Sequence, residues 1–386
     1  MTKILNLFYF YFLLIRKPIK LWIQKQWNKI VKELENLYAF ELKKIPFIER
    51  KTLIENENTL ITGPAKSGKT FVLFNYILQN KKKKYLYIDL KDLRVDKFSL
   101  NAIEAFINAN GISMLAIDNW DGVDYAQNLN IQKIYISKRY YPIKNFKHVR
   151  LNTLDFEEYM LFENNPSSLI THTFNNYMKF GTIPHITQST PELKYLNIQN
   201  MLNEIFDSET KKEIFIFALK YIGYAFSLHQ IFQLLKKRIK LSKDKFYIYI
   251  NELIEESMIF LIPKFNQPNA PKKIYAYDFA LRDGVTFEKK FTSIYENMIL
   301  KELLKLEKEI FYFALIDFYI PDESLAIMAM PFASKDSIKN TLSQISLEIG
   351  IKKIEIITMG FEDDYSYNGI QVEIIPYWTW ALKDEK

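Results

Sequence analysis

Two of the chain's 10 glycines fall within eight residues, Gly63, Pro64, Ala65, Lys66, Ser67, Gly68, Lys69 and Thr70. The octet matches G-x-x-x-x-G-K-[ST], the phosphate-binding P-loop, and no other stretch restricts the fold as strongly. Such a loop needs a strand before it and a helix after it. Only then do the backbone N–H groups of the turn and of the helix N-terminus converge on one anion. Both flanks are present: Thr59-Leu60-Ile61-Thr62 reads as a short buried strand, and Phe71 to Leu78 as a helix. In this arrangement the loop backbone from Gly63 to Gly68 cradles phosphate, Lys69 reaches the β- and γ-phosphates, and Thr70 ligates Mg²⁺. ATP and Mg²⁺ are the expected cofactors. The alternative is an ordinary strand-turn-helix that carries a lysine.

The surrounding sequence supports the first reading. Residues 52–165 alternate strand and helix, with strands expected near 58–62, 84–89, 113–118 and 131–137 and a helix from Leu100 to Asn110 that ends at Gly111. Such alternation predicts an α/β fold with a mostly parallel sheet and ligands at the carboxyl ends of its strands. Ser113 to Asp118 is an apolar strand ending in an acid. At this distance after a P-loop, Asp118 is expected to organise Mg²⁺, usually through water. Many P-loop ATPases with an extra strand in the sheet place Glu next, to polarise the attacking water. Here the next residue is Asn119, which can orient a water but cannot accept its proton. Either Asp121 substitutes through a rearranged turn, or hydrolysis is slow or absent. Ser137, at the end of the fourth strand, is placed to sense the γ-phosphate. Lys138 and Arg139 follow, either to neutralise developing charge or as a solvated loop. Arg139 and Arg150 are the candidate arginine fingers.

Composition narrows the remaining classes. With 386 residues, 48% hydrophobic and 16% aromatic, the chain has material for several cores and is not disordered. The absence of Cys removes disulfides, thiolate metal sites and Cys nucleophiles, and fits a reducing, cytoplasmic setting. The four His are scattered without metal-ligand spacing. A net charge of +7 favours an anionic partner such as nucleic acid or a membrane surface, although a Lys-, Ile- and Asn-rich chain also reflects an AT-rich genome. Ile4 to Ile15 is apolar but too short to span a bilayer, which takes about 20 residues. A docked amphipathic helix continuing to about Phe40 is expected there, with a membrane-surface anchor through residues 1–31 as the alternative.

Residues 209–285 read as three helices and a hairpin, the pattern of a winged helix. The helices are Glu213 to Tyr224, Ser227 to Leu235, and one opening at Ser242. The strands lie at Met258 to Pro263 and Lys272 to Tyr277. Lys236, Lys237, Arg238, Lys240, Lys243 and Lys245 surround the start of the third helix, which in nucleic-acid-binding versions enters the major groove. The alternative is a unit that binds protein.

Several patches resemble bacterial and archaeal AAA-like ATPases that join an archaeal-type P-loop domain to a winged helix and a C-terminal restriction-endonuclease-like domain. They are the P-loop, Leu86 to Leu90, Leu151 to Tyr159, Tyr177 to Pro184 with Thr182 in place of a second Gly, Phe291 to Leu303 with Glu296, Asn297, Glu302 and Leu303, and Gly369 to Trp380. The resemblance implies an N-terminal helical segment (1–50), a RecA/AAA-like P-loop NTPase domain (51–165), a helical connector (166–208), a winged helix (209–285) and a small α/β nuclease-like domain (286–386). It also implies metal-binding acids in the last of these. Asp317 is present, but Leu315 stands where the family often has Glu, and Met328 and Met330 stand where an acid and a lysine are expected. Thioethers bind Mg²⁺ poorly, so no nuclease activity is expected. The resulting reading is an ATP-binding protein in which Mg-ATP controls domain arrangement. The alternatives are a nucleotide-switched DNA-binding regulator and a membrane-associated interaction scaffold with a protein partner.

Overall fold

The computed structural model describes residues 29, 32–36, 50–80, 82–95, 100, 102–163, 169–345 and 350–383. The expected N-terminal amphipathic segment lies almost wholly outside them. No helix among the described residues is long and apolar enough to cross a membrane. The chain divides into two compact units. The first holds Thr52–Thr62 and Lys69–Arg150; the second holds Arg50 and Lys51, Gly63–Gly68, and Leu151 onward.

The first unit is built on a parallel sheet of β1 (Thr59–Thr62), β2 (Tyr85–Asp89), β3 (Met114–Asp118), β4 (Gln132–Ile136) and β5 (Lys147–Arg150). Their order is β2-β3-β4-β1-β5, and every pair is parallel. Parallel neighbours require crossovers. Helix α1 (Lys69–Gln79) connects β1 to β2, and α2 (Ile103–Asn110) connects β2 to β3. β1 and β3 are buried along their whole length, which is why they read as unbroken apolar runs. β4 lies between β1 and β3, so the loop strand and the Asp118 strand flank the inserted strand. The result is a mixed α/β chain whose five-stranded parallel sheet is consistent with a P-loop NTPase core. Gly111, at φ 61°, ends α2 in the left-handed conformation. β5 has an exposed pattern (Lys, His, Val, Arg) that carries little apolar signal, and the sequence reading did not predict it.

The second unit begins with α3 (Phe156–Glu163), α4 (Ile170–Phe180), α5 (Lys194–Ile205) and α6 (Glu209–Lys220). Then come β6 (Ala225–Phe226), α7 (Leu228–Lys236), α8 (Lys243–Glu255), β7 (Ile259–Ile262) and β8 (Lys272–Ala276), with an antiparallel sheet in the order β6-β8-β7. Ser208, Ser227 and Ser242 cap α6, α7 and α8 through their side-chain oxygens. After α9 (Phe291–Leu303), six strands form a mixed sheet: β9 (Phe311–Phe313), β10 (Ile316–Ile320), β11 (Leu325–Ala329), β12 (Lys353–Thr358), β13 (Asp363–Tyr367) and β14 (Ile370–Pro376). Their order is β13-β14-β12-β11-β10-β9. Helix α10 (Lys335–Ser343) connects β11 to β12, which pair in parallel.

The patches dispersed through the sequence meet in this unit. Glu302 Oε1 accepts hydrogen bonds from the Phe156 N–H (3.0 Å), the Tyr177 hydroxyl (3.1 Å) and the Tyr377 hydroxyl (3.3 Å). At Gly181, φ +74°, an added Cβ would come within 2.6 Å of the Asp278 carboxylate. That carboxylate also binds the N–H and hydroxyl of Thr182. These motif residues therefore specify packing around buried polar groups.

Candidate functional site

β1 runs into the loop Gly63–Gly68, and α1 leaves it at Lys69. Gly63 has φ +140°, and a Cβ there would stand 2.1 Å from the Leu151 carbonyl oxygen, so only glycine fits. Lys66 (φ 62°) and Gly68 (φ 97°) are both left-handed, and the Ser67 N–H bonds back to the Pro64 carbonyl at 3.4 Å. Such alternation of backbone handedness turns successive N–H groups to one side, as anion nests require. The first turn of α1 contains no acidic residue, so its positive N-terminal end is not offset within the helix.

Across the parallel register, Asp118 on β3 sits beside Asp89 on β2. The Thr70 hydroxyl donates to Asp118 Oδ2 at 2.6 Å, Tyr87 donates to the same oxygen at 3.4 Å, and the Asn119 N–H donates to Oδ1 at 2.7 Å. Burial, reinforced by the charge of Asp89, pushes the Asp118 carboxyl above its ordinary range, although the Thr70 and Asn119 hydrogen bonds and the Lys69 charge oppose this. A hydroxyl and a carboxylate side by side form a hard-oxygen donor pair. Mg²⁺ is commonly held by one or two protein oxygens plus substrate phosphates, so this pair fits it.

The other expected site residues have different surroundings. Asn119 has φ 52°, a left-handed conformation that Asn tolerates better than most residues. Its side-chain amide donates to Asp89 Oδ1 at 2.7 Å. Asn119 thus bridges two adjacent acids at the strand ends. Asp121 accepts from the Tyr125 hydroxyl at 3.0 Å and from the Val123 N–H at 3.4 Å, which shapes its own turn. Ser137 is buried, and its hydroxyl accepts from the Arg139 N–H at 3.3 Å. Arg150 is exposed at the end of β5. Arg50 carries no local motif that marks it as a site residue. It is buried, pairs with Glu158 108 positions away, and binds the Ser67 carbonyl of the loop.

The candidate acids of the C-terminal region, Glu296 on α9 and Asp317 on β10, are already engaged. Lys273 donates to Asp317 Oδ1 (2.9 Å) and Glu296 Oε2 (3.2 Å), and the Tyr275 hydroxyl donates to Glu296 Oε2 at 2.8 Å. The second Asp317 oxygen accepts from the Ala329 N–H at 2.9 Å. Burial, then repulsion from Asp317, pushes the Glu296 carboxyl up to about 7. Met328 is buried on β11, and Met330 follows that strand.

No protein-family model matches the chain. It is similar to an uncharacterized protein of Methanocaldococcus jannaschii, 23% identical over 398 aligned residues that cover 86% of this chain and 89% of that one. Among solved structures it is similar to a Walker-type ATPase of Pyrococcus abyssi, 13% identical with a TM-score of 0.39, covering 67% of this chain and 94% of that one. It is also similar to the Orc1 protein of Aeropyrum pernix in complex with DNA, 9% identical with a TM-score of 0.30, covering 68% and 91%.

Proposed function

We propose that this chain is an AAA-like P-loop protein that binds Mg-ATP and uses the bound nucleotide to control the arrangement of its domains. The observation that carries this reading is the 2.6 Å contact between Thr70 and Asp118, at the first turn of a helix that follows a P-loop octet. Lys69 would bind the β- and γ-phosphates, Thr70 and Asp118 would hold Mg²⁺, and the Gly63–Gly68 backbone would cradle phosphate. When bound, Mg²⁺ would neutralise phosphate charge. The chain's own residues supply no proton acceptor immediately after Asp118, and Asn119 is bound to Asp89. Slow turnover is part of the proposal. ATP binding and turnover in the parent, Lys69→Ala and Asn119→Glu proteins test it together. Lys69→Ala should bind ATP at least about 100-fold more weakly, by loss of a charge-assisted phosphate contact in a preformed cradle. Asn119→Glu should raise turnover per bound ATP. Unchanged affinity in the first variant would refute the site, and unchanged turnover in the second would refute the role of Asn119.

The winged-helix reading of residues 209–285 is supported by α6, α7 and α8 packed with the β6-β8-β7 sheet. The nuclease-like domain is proposed to be inactive, because Lys273 already bridges Glu296 and Asp317. A second reading, DNA contact, is favoured by one surface. Lys236, Lys237, Arg238, Lys240, Lys243 and Lys245 are all exposed around the α7–α8 turn. The outward stripe of α8 is Asp244, Ile248, Asn251 and Glu255, which suits base reading poorly. The contact would therefore be to phosphates. Replacing Lys236, Lys237 and Arg238 by Ala should weaken DNA binding equally for all sequences and lower the salt slope by roughly 3. An unchanged slope would exclude this surface.

A further inference from the structure

The side chain that fixes the phosphate loop lies outside it. Arg50 is 7% exposed, and its guanidinium holds four acceptor contacts. Nη1 donates to the Ser67 carbonyl at 2.8 Å, and Nη2 donates to the Asn152 carbonyl at 2.8 Å. Nε and Nη2 also form a fork on the two Glu158 oxygens at 2.8 and 3.0 Å. Glu158 is itself held. It accepts from the Lys51 N–H (3.0 Å) and the Asp155 N–H (3.3 Å), while Asp155 Oδ1 accepts from the Glu158 N–H (2.7 Å). The last two bonds form a capping box at the start of α3. The guanidinium therefore has a fixed direction.

A peptide group is planar, so fixing the Ser67 carbonyl also fixes the next N–H, that of Gly68, in the opposite direction. Gly68 has φ +97°, and a Cβ there would lie 3.5 Å from Arg50 Nη1. Buried ion pairs contribute little net stability compared with apolar pairs of similar volume. Stability alone therefore gives weak grounds for a buried arginine on a loop carbonyl.

We propose that Arg50, clamped by Glu158, is a positioning residue for nucleotide: it holds the Ser67 carbonyl so that the Gly68 amide is oriented for phosphate before ATP arrives. This rests on the nucleotide reading above. Removing Arg50 alone leaves a buried carboxylate and risks unfolding. The informative variant is Arg50→Met with Glu158→Gln, which leaves no buried charge and keeps an acceptor for the cap. Its melting temperature without nucleotide should stay within a few degrees of the parent's, while its ATP dissociation constant rises about tenfold or more, as for a lost charged hydrogen bond. Arg50→Lys keeps the charge but presents a point donor in place of the fork, and should give an intermediate affinity. Parental ATP affinity in the folded double variant overturns the proposal. Should the double variant not fold, parental affinity in Arg50→Lys overturns it. The Lys69→Ala protein separates the two claims. If the parent binds no ATP, or Lys69→Ala binds it as the parent does, both fail. If Lys69→Ala loses binding and the Arg50 variants do not, only this inference fails.

Discussion

Asp118 is a buried acid at a strand end, and Glu296 and Asp317 are a partly buried pair on a helix and a strand, yet the two places neutralise their acids differently. Asp118 takes its hydrogen bonds from neutral donors, namely two hydroxyls and a backbone N–H. Glu296 and Asp317 share the ammonium of Lys273. A buried carboxylate is costly unless a cation or several donors compensate it. In the C-terminal unit the compensating cation is built into the chain. At Asp118 two of the three donors are hydroxyls, whose oxygens can also face a metal, and the nearby Lys69 charge favours the carboxylate. The same residue type thus belongs to an internal ion pair in one place and, in the proposed reading, to a cation site in the other, and the partner decides which.

The largest effect that would break this comparison is on stability. Lys273→Met leaves Glu296 and Asp317 facing each other without their cation. It should cost about 3 kcal/mol or more in urea unfolding, the scale for orphaning a buried charge. Asp118→Asn, without nucleotide, removes a buried charge and keeps hydrogen-bonding capacity, so it should change stability by less than about 1 kcal/mol. If the two variants lose equal stability, the comparison fails.

A smaller effect is the pH dependence of the Lys273 cluster. The Glu296 carboxyl is raised from an ordinary value of 4.5 to about 7. Between those values the folded state binds more protons than the unfolded chain, so this group makes stability fall as pH rises from about 4.5 through about 7. Asp317, Lys273 and Tyr275 face it. Glu296→Gln should flatten that part of the unfolding curve, and an unchanged slope would show that Glu296 does not titrate there.

What the sequence revealed follows the same division. The P-loop, β1, α1 and Asp118 were legible because strand, turn and helix signals lie within a few residues of one another. The second and third helices of 209–285 were legible because Ser227 and Ser242 open them as local caps, whereas the first was expected from Glu213 and in fact starts at Glu209 behind the Ser208 cap. Lys147–Arg150 was not, because an edge strand with exposed polar residues has no apolar period. Arg50 was not, because its carboxylate partner lies 108 residues away and its other partners are backbone carbonyls, which have no sequence identity. The sequence supplied Asp317 and Glu296 but not Lys273, which arrives from β8, and that lysine changes what the acids mean.

The central claim is that Thr70 and Asp118 form a cation site for nucleotide. Equilibrium ATP titration with and without Mg²⁺, on the parent and on Asp118→Asn, tests it most directly. Mg²⁺ should tighten ATP binding in the parent, and Asp118→Asn should lose most of that gain while still binding ATP through the loop. An identical Mg²⁺ dependence in the two proteins would contradict the account.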